Sequence, residues 1–237
     1  ELARTADAHP NLRLAALWTH FATADEKDTT FRDLQRDRLA ELGERARREF
    51  PEVKLHAANS AAMIADPACH FDMVRPGVAI YGMDPFGNDP ADHNLRPVLS
   101  LHSWVASVKD FEPGQSAGYG RTWTADRETR VAAIPIGYGD GVRRGLSNRG
   151  EVLIGGRRYP ISGTVSMDNI TVDLGPDSAV RVGDEVTLIG SQGDERITAE
   201  QVAVPLETIN YEVTCGISPR VPRVGREGGS PEVSGSR

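Results

Sequence analysis

The sequence predicts an α/β part with a parallel sheet, followed by an antiparallel β domain. Between residues 12 and 82, short apolar runs alternate with a stretch of helical spacing, which is typical of a parallel sheet. Residues 83–96 are rich in proline, glycine, aspartate and asparagine, and this composition indicates a boundary. From residue 98 onwards, short strands follow one another with glycine-rich turns between them, which indicates an antiparallel domain.

The α/β part is predicted to contain three strands and one long helix. Its elements are a short polar helix at 1–8, strands at 12–18, 53–58 and 71–75, and a helix at 30–50. The first strand is expected to be largely buried because its apolar run is short and continuous. One face of the long helix carries Phe31, Leu34, Leu39, Leu42 and Ala46. Pro51 ends this helix, and Asn59 or Ser60 is expected to cap a further helix after the second strand.

The β domain is predicted from short strands that are separated by turns such as Gly155-Gly156. The strands are expected at 98–108, 130–136, 151–154, 157–161, 169–172 and 185–189, with short helices at 199–204 and 205–211. The last residues are rich in glycine and serine and lack any pattern, which predicts a disordered tail. We therefore divide the chain into residues 1–96, 97–224 and 225–237.

Composition excludes several classes of function for this chain. It has 237 residues, of which 39% are hydrophobic and 26% charged, as in soluble globular proteins. The net charge of -7 and the lack of a long basic run argue against a nucleic-acid surface. No apolar run is as long as a membrane helix. Only Cys69 and Cys215 are present, far apart, so we expect neither a disulfide framework nor a metal site, and a cytoplasmic location.

Polar residues follow all three predicted strands of the α/β part. They are His20, the pair Asn59 and Ser60, and Arg75 with Gly77 and Val78. Ligands of parallel α/β sheets bind at the carboxyl ends of strands. Ser60 and the free amides near Gly77 therefore indicate a phosphate site. Each residue also has a purely structural reading: a cap, a turn, a surface ion pair or a loop histidine.

Tyr119 stands between Gly118 and Gly120 in the β domain. Glycine on both sides allows a tight turn and the close approach of a ligand. A phenol acts as a base only where its neighbours stabilise the anion. By itself, this segment favours the simpler interpretation, a turn between two strands with a half-buried tyrosine.

Seven segments, in order, resemble the motifs of the alanine racemase family. They are THFATADE (19–26), ANSA (58–61), VRPGVAIYG (74–82), GYG (118–120), PIGYGDG (135–141), SMD (166–168) and INYE (209–212). The resemblance implies the last part of a TIM-type (β/α) barrel followed by a C-terminal antiparallel β domain. It also implies pyridoxal 5'-phosphate as cofactor and a head-to-tail homodimer with shared active sites. The implied activity is interconversion of L-alanine and D-alanine by two bases on the substrate–cofactor imine, which supplies D-alanine for peptidoglycan.

The resemblance assigns a role to each matching residue. Tyr119 would be one catalytic base, and Arg75 would face the pyridine nitrogen with His56 behind it. The cofactor phosphate would be bound by Ser60, Gly77, Val78 and Tyr211, and His20 would lie against the ring. Met167, through its amide, and Asp168 would contact the substrate carboxylate end. The residues expected to support the site or line the entry channel are His56, Asn59, Asp25, Tyr138 and Arg144.

The family's other base, a lysine that bears the cofactor, has no counterpart here. Lys27, Lys54 and Lys109 are the lysines of this sequence, and none stands in such a motif. We therefore expect the chain to be the C-terminal part of a racemase and to be inactive alone. A non-catalytic remnant of a racemase and a racemase of broader substrate range remain alternatives. Arg75 argues against a related decarboxylase, which would place a carboxylate at the pyridine nitrogen.

Overall fold

The computed structural model describes residues 1–225, which divide into two compact units. The first unit comprises residues 1–100, 198–204 and 209–211, and the second comprises the other described residues. The division lies after residue 100, whereas the sequence predicted it after residue 96. Two short segments that were predicted within the β domain belong to the first unit. Of the predicted disordered tail, 225–237, all residues after 225 lie outside the described residues.

The first unit is built from a short parallel sheet and the helices beside it. Its elements are α1 (Leu2–Ala8), β1 (Ala16–Trp18), α2 (Thr30–Arg47), β2 (Lys54–His56), α3 (Ser60–Ala65) and α4 (Ala199–Ala203). Strands β1 and β2 pair in parallel, with Trp18 opposite His56. The parallel pairing agrees with the α/β pattern of the sequence.

The third predicted strand, at 71–75, is reduced to a single parallel bridge between His56 and Met73. The side chain of Asp72 provides the reason. Its Oδ2 accepts from the main-chain N of Leu55 at 2.6 Å, while its own N donates to the Leu55 oxygen at 3.1 Å. The side chain thus takes the place of a main-chain acceptor, so a regular ladder does not continue. The chain still runs beside β2, because Arg75 N donates to Ala58 O at 2.8 Å.

The core of the first unit lies between α2 and the strands. Leu55 of β2 is buried against α2, where a Cβ on Gly43 would lie 2.2 Å from Leu55 Cδ1. Of the predicted apolar face of α2, Leu39 is buried, whereas Phe31, Leu34 and Leu42 are exposed. A sheet of two three-residue strands covers only a small part of an 18-residue helix, so most of that face has no cover within this unit.

The second unit contains three antiparallel sheets. Its strands are β3 (Leu101–Trp104), β4 (Ser107–Phe111), β5 (Ser116–Ala117), β6 (Trp123–Thr124), β7 (Thr129–Ile134), β8 (Glu151–Ile154), β9 (Arg157–Pro160), β10 (Ile170–Gly175), β11 (Glu185–Gln192) and β12 (Glu195–Ile197). One sheet has the order β10-β7-β4, a second has β12-β11-β8-β9 with β3 also on β11, and β5 pairs β6. Helix α5 (Asn210–Cys215) follows near the end, and its first two residues, Asn210 and Tyr211, belong to the first unit.

The single strand predicted at 98–108 forms two strands in different sheets. Strand β3 pairs with β11, and β4 pairs with β7. Val105 and Ala106 make the crossing: Val105 N donates to Asp184 O and Ala106 N donates to Ala133 O, both at 2.9 Å. Val105 is fully buried at this point. The apolar pattern is continuous across the crossing, so it does not reveal the change of partner.

Candidate functional site

Arg75 is the centre of a polar cluster at the carboxyl ends of the strands in the first unit. Its Nη1 donates to His56 Nδ1 at 2.5 Å, and its Nη2 donates to the main-chain oxygens of Thr19 at 3.0 Å and Ala57 at 3.2 Å. His20 Nδ1 lies 3.3 Å from the same Nη2. The guanidinium is thereby fixed in orientation by four acceptors.

This contact also sets the state of His56. A guanidinium has only donors, so His56 Nδ1 must accept and the ring proton stands on Nε2. Burial of the imidazole, together with the charge of Arg75, lowers the pKa of His56. His56 is therefore a neutral acceptor behind Arg75, and Arg75 keeps its own proton.

Trp18 completes this cluster and was not singled out from the sequence. Its ring stacks on His56 with centroids 6.1 Å apart and an interplanar angle of 6°. The Arg75 guanidinium carbon lies 5.2 Å from the centroid of the same ring. The sequence predicted a largely buried strand here, but Trp18 is 62% exposed. The tryptophan thus restricts Arg75 and His56 from one side.

Ser60, Gly77 and Val78 form a second arrangement beside the first, which we call the phosphate cradle. The Ser60 hydroxyl accepts from the main-chain N of Gly77 at 2.9 Å and of Ala79 at 3.2 Å. Asn59 caps α3 by accepting from Ala62 N at 3.0 Å. Ser60 is 2% exposed, and no atom lies within 4 Å of where a Gly77 Cβ would be. In the cradle, the Ser60 hydroxyl and the two amides that donate to it thus lie beside open space.

Tyr211 is the remaining residue of the first unit that was expected to bind phosphate. It is the second residue of α5 and is 39% exposed. Burial first, and then the charges of Asp25 and Asp84, raise the pKa of the Tyr211 phenol. The phenol is thereby kept protonated, and a protonated phenol can donate a hydrogen bond to an anion.

Tyr119 lies in the second unit, at the start of the turn Tyr119–Arg121 between β5 and β6. Gly118 before it has φ 79° and ψ 172°, a conformation that is almost restricted to glycine. Thr164 Oγ1 donates to the main-chain oxygen of Tyr119 at 2.8 Å. The side chain is 73% exposed, more than the half-buried turn that the sequence favoured. The turn is thus held by its backbone, and the phenol is exposed.

A groove with a volume of about 380 Å³ lies beside this turn. It is lined by Gly118, Tyr119, Thr164, Ser166, Asn169, Ile170 and Thr171. The groove extends from Tyr119 towards the SMD segment, which includes Met167 and Asp168. Both of these side chains are exposed.

The PIGYGDG loop fixes the backbone of the SMD segment. Tyr138 N donates to Ser166 O, and Gly139 N donates to Met167 O, both at 2.9 Å. A Cβ on Gly137 would lie 2.3 Å from Ser166 O, so this close approach requires glycine. Tyr138, an expected entry-channel residue, is thus placed beside the expected substrate-binding residues.

Asp168 is paired with Arg220, a residue that sequence reasoning did not assign. Arg220 Nη2 donates to Asp168 Oδ1 at 2.6 Å, and its Nε lies 3.3 Å from Asp140 Oδ1. Hydrogen bonding to Asp168 and the charge of Asp140 raise the pKa of Arg220. Arg144, the other expected channel residue, starts a 3₁₀ turn at Arg144–Leu146 and is exposed.

The expected site residues therefore form two groups. The first unit holds His20, Asp25, His56, Asn59, Ser60, Arg75, Gly77, Val78 and Tyr211. The second unit holds Tyr119, Tyr138, Arg144, Met167 and Asp168. Within residues 1–225, no three histidine, cysteine or acidic side chains are grouped so as to hold a metal ion. In the same range, no helix has the length and apolar character needed to cross a bilayer.

Both parts of the chain match domains of the same protein family. Residues 98–225 match the model of the alanine racemase C-terminal domain, and residues 1–85 match that of the alanine racemase N-terminal domain. The chain is similar to the alanine racemase of Halothermothrix orenii, with 42% identity over 90% of this chain and 56% of that protein. It is also similar to that of Symbiobacterium thermophilum, with 45% identity over 94% of this chain and 58% of that protein.

Among solved structures, the chain is similar to the alanine racemase of Streptomyces lavendulae, with a TM-score of 0.88 and 37% identity. That match covers 96% of this chain and 60% of the other. The chain thus spans less than two thirds of the length of the relatives it matches. The similarity confirms the predicted fold class, in which elements of a TIM-type barrel precede an antiparallel β domain.

Proposed function

The chain belongs to the alanine racemase family, and from this premise we propose that it forms part of an alanine racemase that uses pyridoxal phosphate. Such an enzyme would interconvert L-alanine and D-alanine and supply D-alanine for peptidoglycan in the cytoplasm. The free state of Cys69 and Cys215 suits a reducing compartment. The observation that supports the proposal most is the orientation of Arg75 between His56, His20 and the strand ends.

The first unit fits the proposed cofactor in shape and donors. A phosphate ester needs donors at one open point, and the Ser60 hydroxyl, which accepts from the amides of Gly77 and Ala79, keeps its own hydrogen to donate. The open space at Gly77 leaves room for the oxygens, and the protonated Tyr211 phenol adds a donor. We assign the phosphate to Ser60, Gly77, Val78 and Tyr211, with Asn59 supporting Ser60.

Arg75 sets the electronic environment of the ring nitrogen. Pyridoxal phosphate, when bound, supplies an electron sink for the charge left by removal of the alanine α-proton. Because Arg75 keeps its proton, it would donate a hydrogen bond to the ring nitrogen without protonating it. His56 holds Arg75 from behind, and His20 would lie against the ring. This arrangement makes the sink weaker and limits side reactions such as transamination, so proton transfer depends on well-placed bases.

The second unit would provide the base for one face of the substrate. Tyr119 would take or return the proton at the alanine α-carbon on the face opposite the lysine. The Met167 amide and Asp168 would bind near the substrate carboxylate. Since Asp168 is itself an anion, its ion pair with Arg220 would offset the repulsion between the two carboxylates. Asp25, Tyr138 and Arg144 would line the entry channel.

The second base, a lysine, has to come from polypeptide other than these 237 residues. Lys27, Lys54 and Lys109 are all exposed, and none lies in the phosphate cradle. We call the combination of this chain with the polypeptide that supplies the lysine the lysine-containing assembly. In a head-to-tail homodimer, Tyr119 of one subunit would complete the site of the partner subunit.

Racemisation of L-alanine tests the proposal, with D-alanine measured by a coupled D-amino-acid oxidase assay. We expect turnover by the lysine-containing assembly and only the buffer background with the isolated 237-residue chain. An assembly that binds pyridoxal phosphate but does not racemise alanine would contradict the proposed activity. Turnover by the isolated chain at the rate of the assembly would contradict the need for an external lysine.

The lack of the lysine also favours a second candidate, a non-catalytic remnant of a racemase. Borohydride reduction after addition of pyridoxal phosphate separates the two. Borohydride reduces a lysine imine to a stable secondary amine, so the imine band is replaced by the absorbance of a pyridoxyl group that stays bound to the protein, and we expect this for the lysine-containing assembly. A remnant would show no fixed absorbance in any assembly. Parallel assays with serine and other amino acids test the alternative of broader substrate range.

A further inference from the structure

A buried carboxylate, Glu200, joins two segments of the first unit that are far apart in the chain. Glu200 lies in α4 and is 4% exposed. Its Oε1 accepts from the main-chain N of Asp84 at 2.9 Å and from Asn210 Nδ2 at 2.7 Å. Asn210 Nδ2 also donates to the main-chain oxygen of Asp84 at 2.8 Å. We call this closed set of hydrogen bonds the Glu200 brace.

The Asp84 side of the brace is itself rigid. The Asp84 side chain is fully buried, and its Oδ1 accepts from Phe86 N at 2.7 Å and Asn88 N at 3.3 Å. Its Oδ2 contacts His93 Nδ1 at 2.5 Å. Because every oxygen of Asp84 has a partner, Glu200 contacts a segment that has little freedom to move.

Both ends of the brace lead directly to the phosphate cradle. Tyr211 follows Asn210 in sequence, so the position of Asn210 restricts the backbone from which the Tyr211 side chain extends. On the other side, Met83 N donates to Val78 O at 3.3 Å, one residue before Asp84. Gly82, which lies between Val78 and Met83 in sequence, has φ 74°, and a Cβ there would lie 1.8 Å from Arg96 O, so this turn requires glycine. The brace thus links the Tyr211 donor to the turn that holds Gly77 and Val78.

We propose that Glu200 is a positioning residue that sets Tyr211 against the phosphate cradle, and this rests on the cofactor site proposed above. Buried hydrogen bonds to a carboxylate oxygen are short and strong, and loss of this acceptor removes the bond from Asp84 N and one of the two bonds described here from Asn210 Nδ2. Within the described residues, Glu200 Oε2 has no hydrogen-bond partner, so the brace depends on Oε1. The effect of Glu200 should therefore fall on phosphate recognition and not on recognition of the ring.

Affinities for pyridoxal phosphate and for pyridoxal, which lacks the phosphate, test this in the lysine-containing assembly. Glu200→Ala should weaken pyridoxal phosphate binding about tenfold, since a hydrogen bond to a charged group is lost, and leave pyridoxal within about twofold. Glu200→Gln keeps an acceptor at Oε1 and should retain most of the affinity. Ile154→Val, a buried substitution in the second unit, controls for general destabilisation.

Three outcomes would overturn the inference. These are an unchanged affinity in Glu200→Ala, an equal loss for both ligands, and a loss in Glu200→Gln as large as in Glu200→Ala. If Glu200→Ala does not fold, Asn210→Ala opens the brace from the other side and is judged by the same ratio. An unaltered assembly that binds pyridoxal phosphate no more tightly than pyridoxal would overturn the phosphate cradle itself, and the brace with it.

Discussion

Replacing Tyr119 by phenylalanine should remove racemisation while leaving the fold almost unchanged. The side chain is 73% exposed, and the hydrogen bond that holds the turn goes from Thr164 to the main-chain oxygen. Loss of the hydroxyl therefore leaves the backbone contacts in place. We expect the free energy of unfolding to change by less than about 0.5 kcal/mol, as for exposed substitutions away from special backbone positions.

The expected loss of activity is much larger than this change in stability. A positioned general base contributes roughly 10²- to 10⁴-fold to a proton-transfer step. This corresponds to about 3 to 5 kcal/mol of barrier, at about 1.4 kcal/mol for each factor of ten. Since Tyr119 would serve one face of the substrate, Tyr119→Phe should lose α-proton exchange from one enantiomer and retain it from the other.

Proton NMR in D₂O measures this directly, with L-alanine and D-alanine given separately to the lysine-containing assembly. Tyr138→Phe is the matched control, because that phenol lies in the second unit but is not assigned a proton. Retained racemisation within about tenfold of the parent would refute a general-base role. A loss of cofactor binding in Tyr119→Phe would show that the tyrosine has been given the wrong role.

Further predictions concern the turn, the buried histidine and the phosphate. Gly118→Ala should lower the free energy of unfolding by about 1 to 3 kcal/mol in urea titrations, because an L residue is strained there and its Cβ would lie 3.1 Å from Thr164 N. The lowered pKa of His56 predicts a contribution to stability that is present above its unfolded pKa of about 6.5. That contribution is lost as pH falls through the folded value, and His56→Gln should flatten the pH dependence of the urea midpoint. Tyr211→Phe should weaken pyridoxal phosphate about tenfold by equilibrium titration and leave pyridoxal unaffected; equal weakening of both would contradict a phosphate contact.

The local parts of the fold could be predicted from the sequence, and the pairing of strands could not. Helix α2 and the β8–β9 hairpin follow from spacing and from Gly155-Gly156, which act within a few residues. The strand expected at 71–75 does not form a regular ladder, because the Asp72 side chain accepts the hydrogen bond from Leu55 N in place of a main-chain oxygen. The strand expected at 98–108 divides because its two halves pair with β11 and β7, which come later in the chain.

For the candidate site, the sequence led to residues at strand ends but missed those that hold them. His20, His56 and Arg75 meet because parallel strands bring their carboxyl ends to one edge. Glu200 was missed because a glutamate in a short helix is usually exposed, and nothing in the local pattern predicts its burial. Asn210 stands inside the INYE segment, so that motif offered a signal that was used only for Tyr211.

The two tyrosines that we propose for phosphate binding and for proton transfer lie in different surroundings. Tyr211 lies in the first unit, where burial and the charges of Asp25 and Asp84 raise its pKa and keep it protonated, as the proposed phosphate contact requires. Tyr119 is exposed, and the one hydrogen bond described at this residue reaches its backbone. A phenol becomes a base only when cations or donors stabilise its anion. The proposed assembly must therefore bring those groups to Tyr119, so the chemical step should depend on assembly more strongly than phosphate binding does.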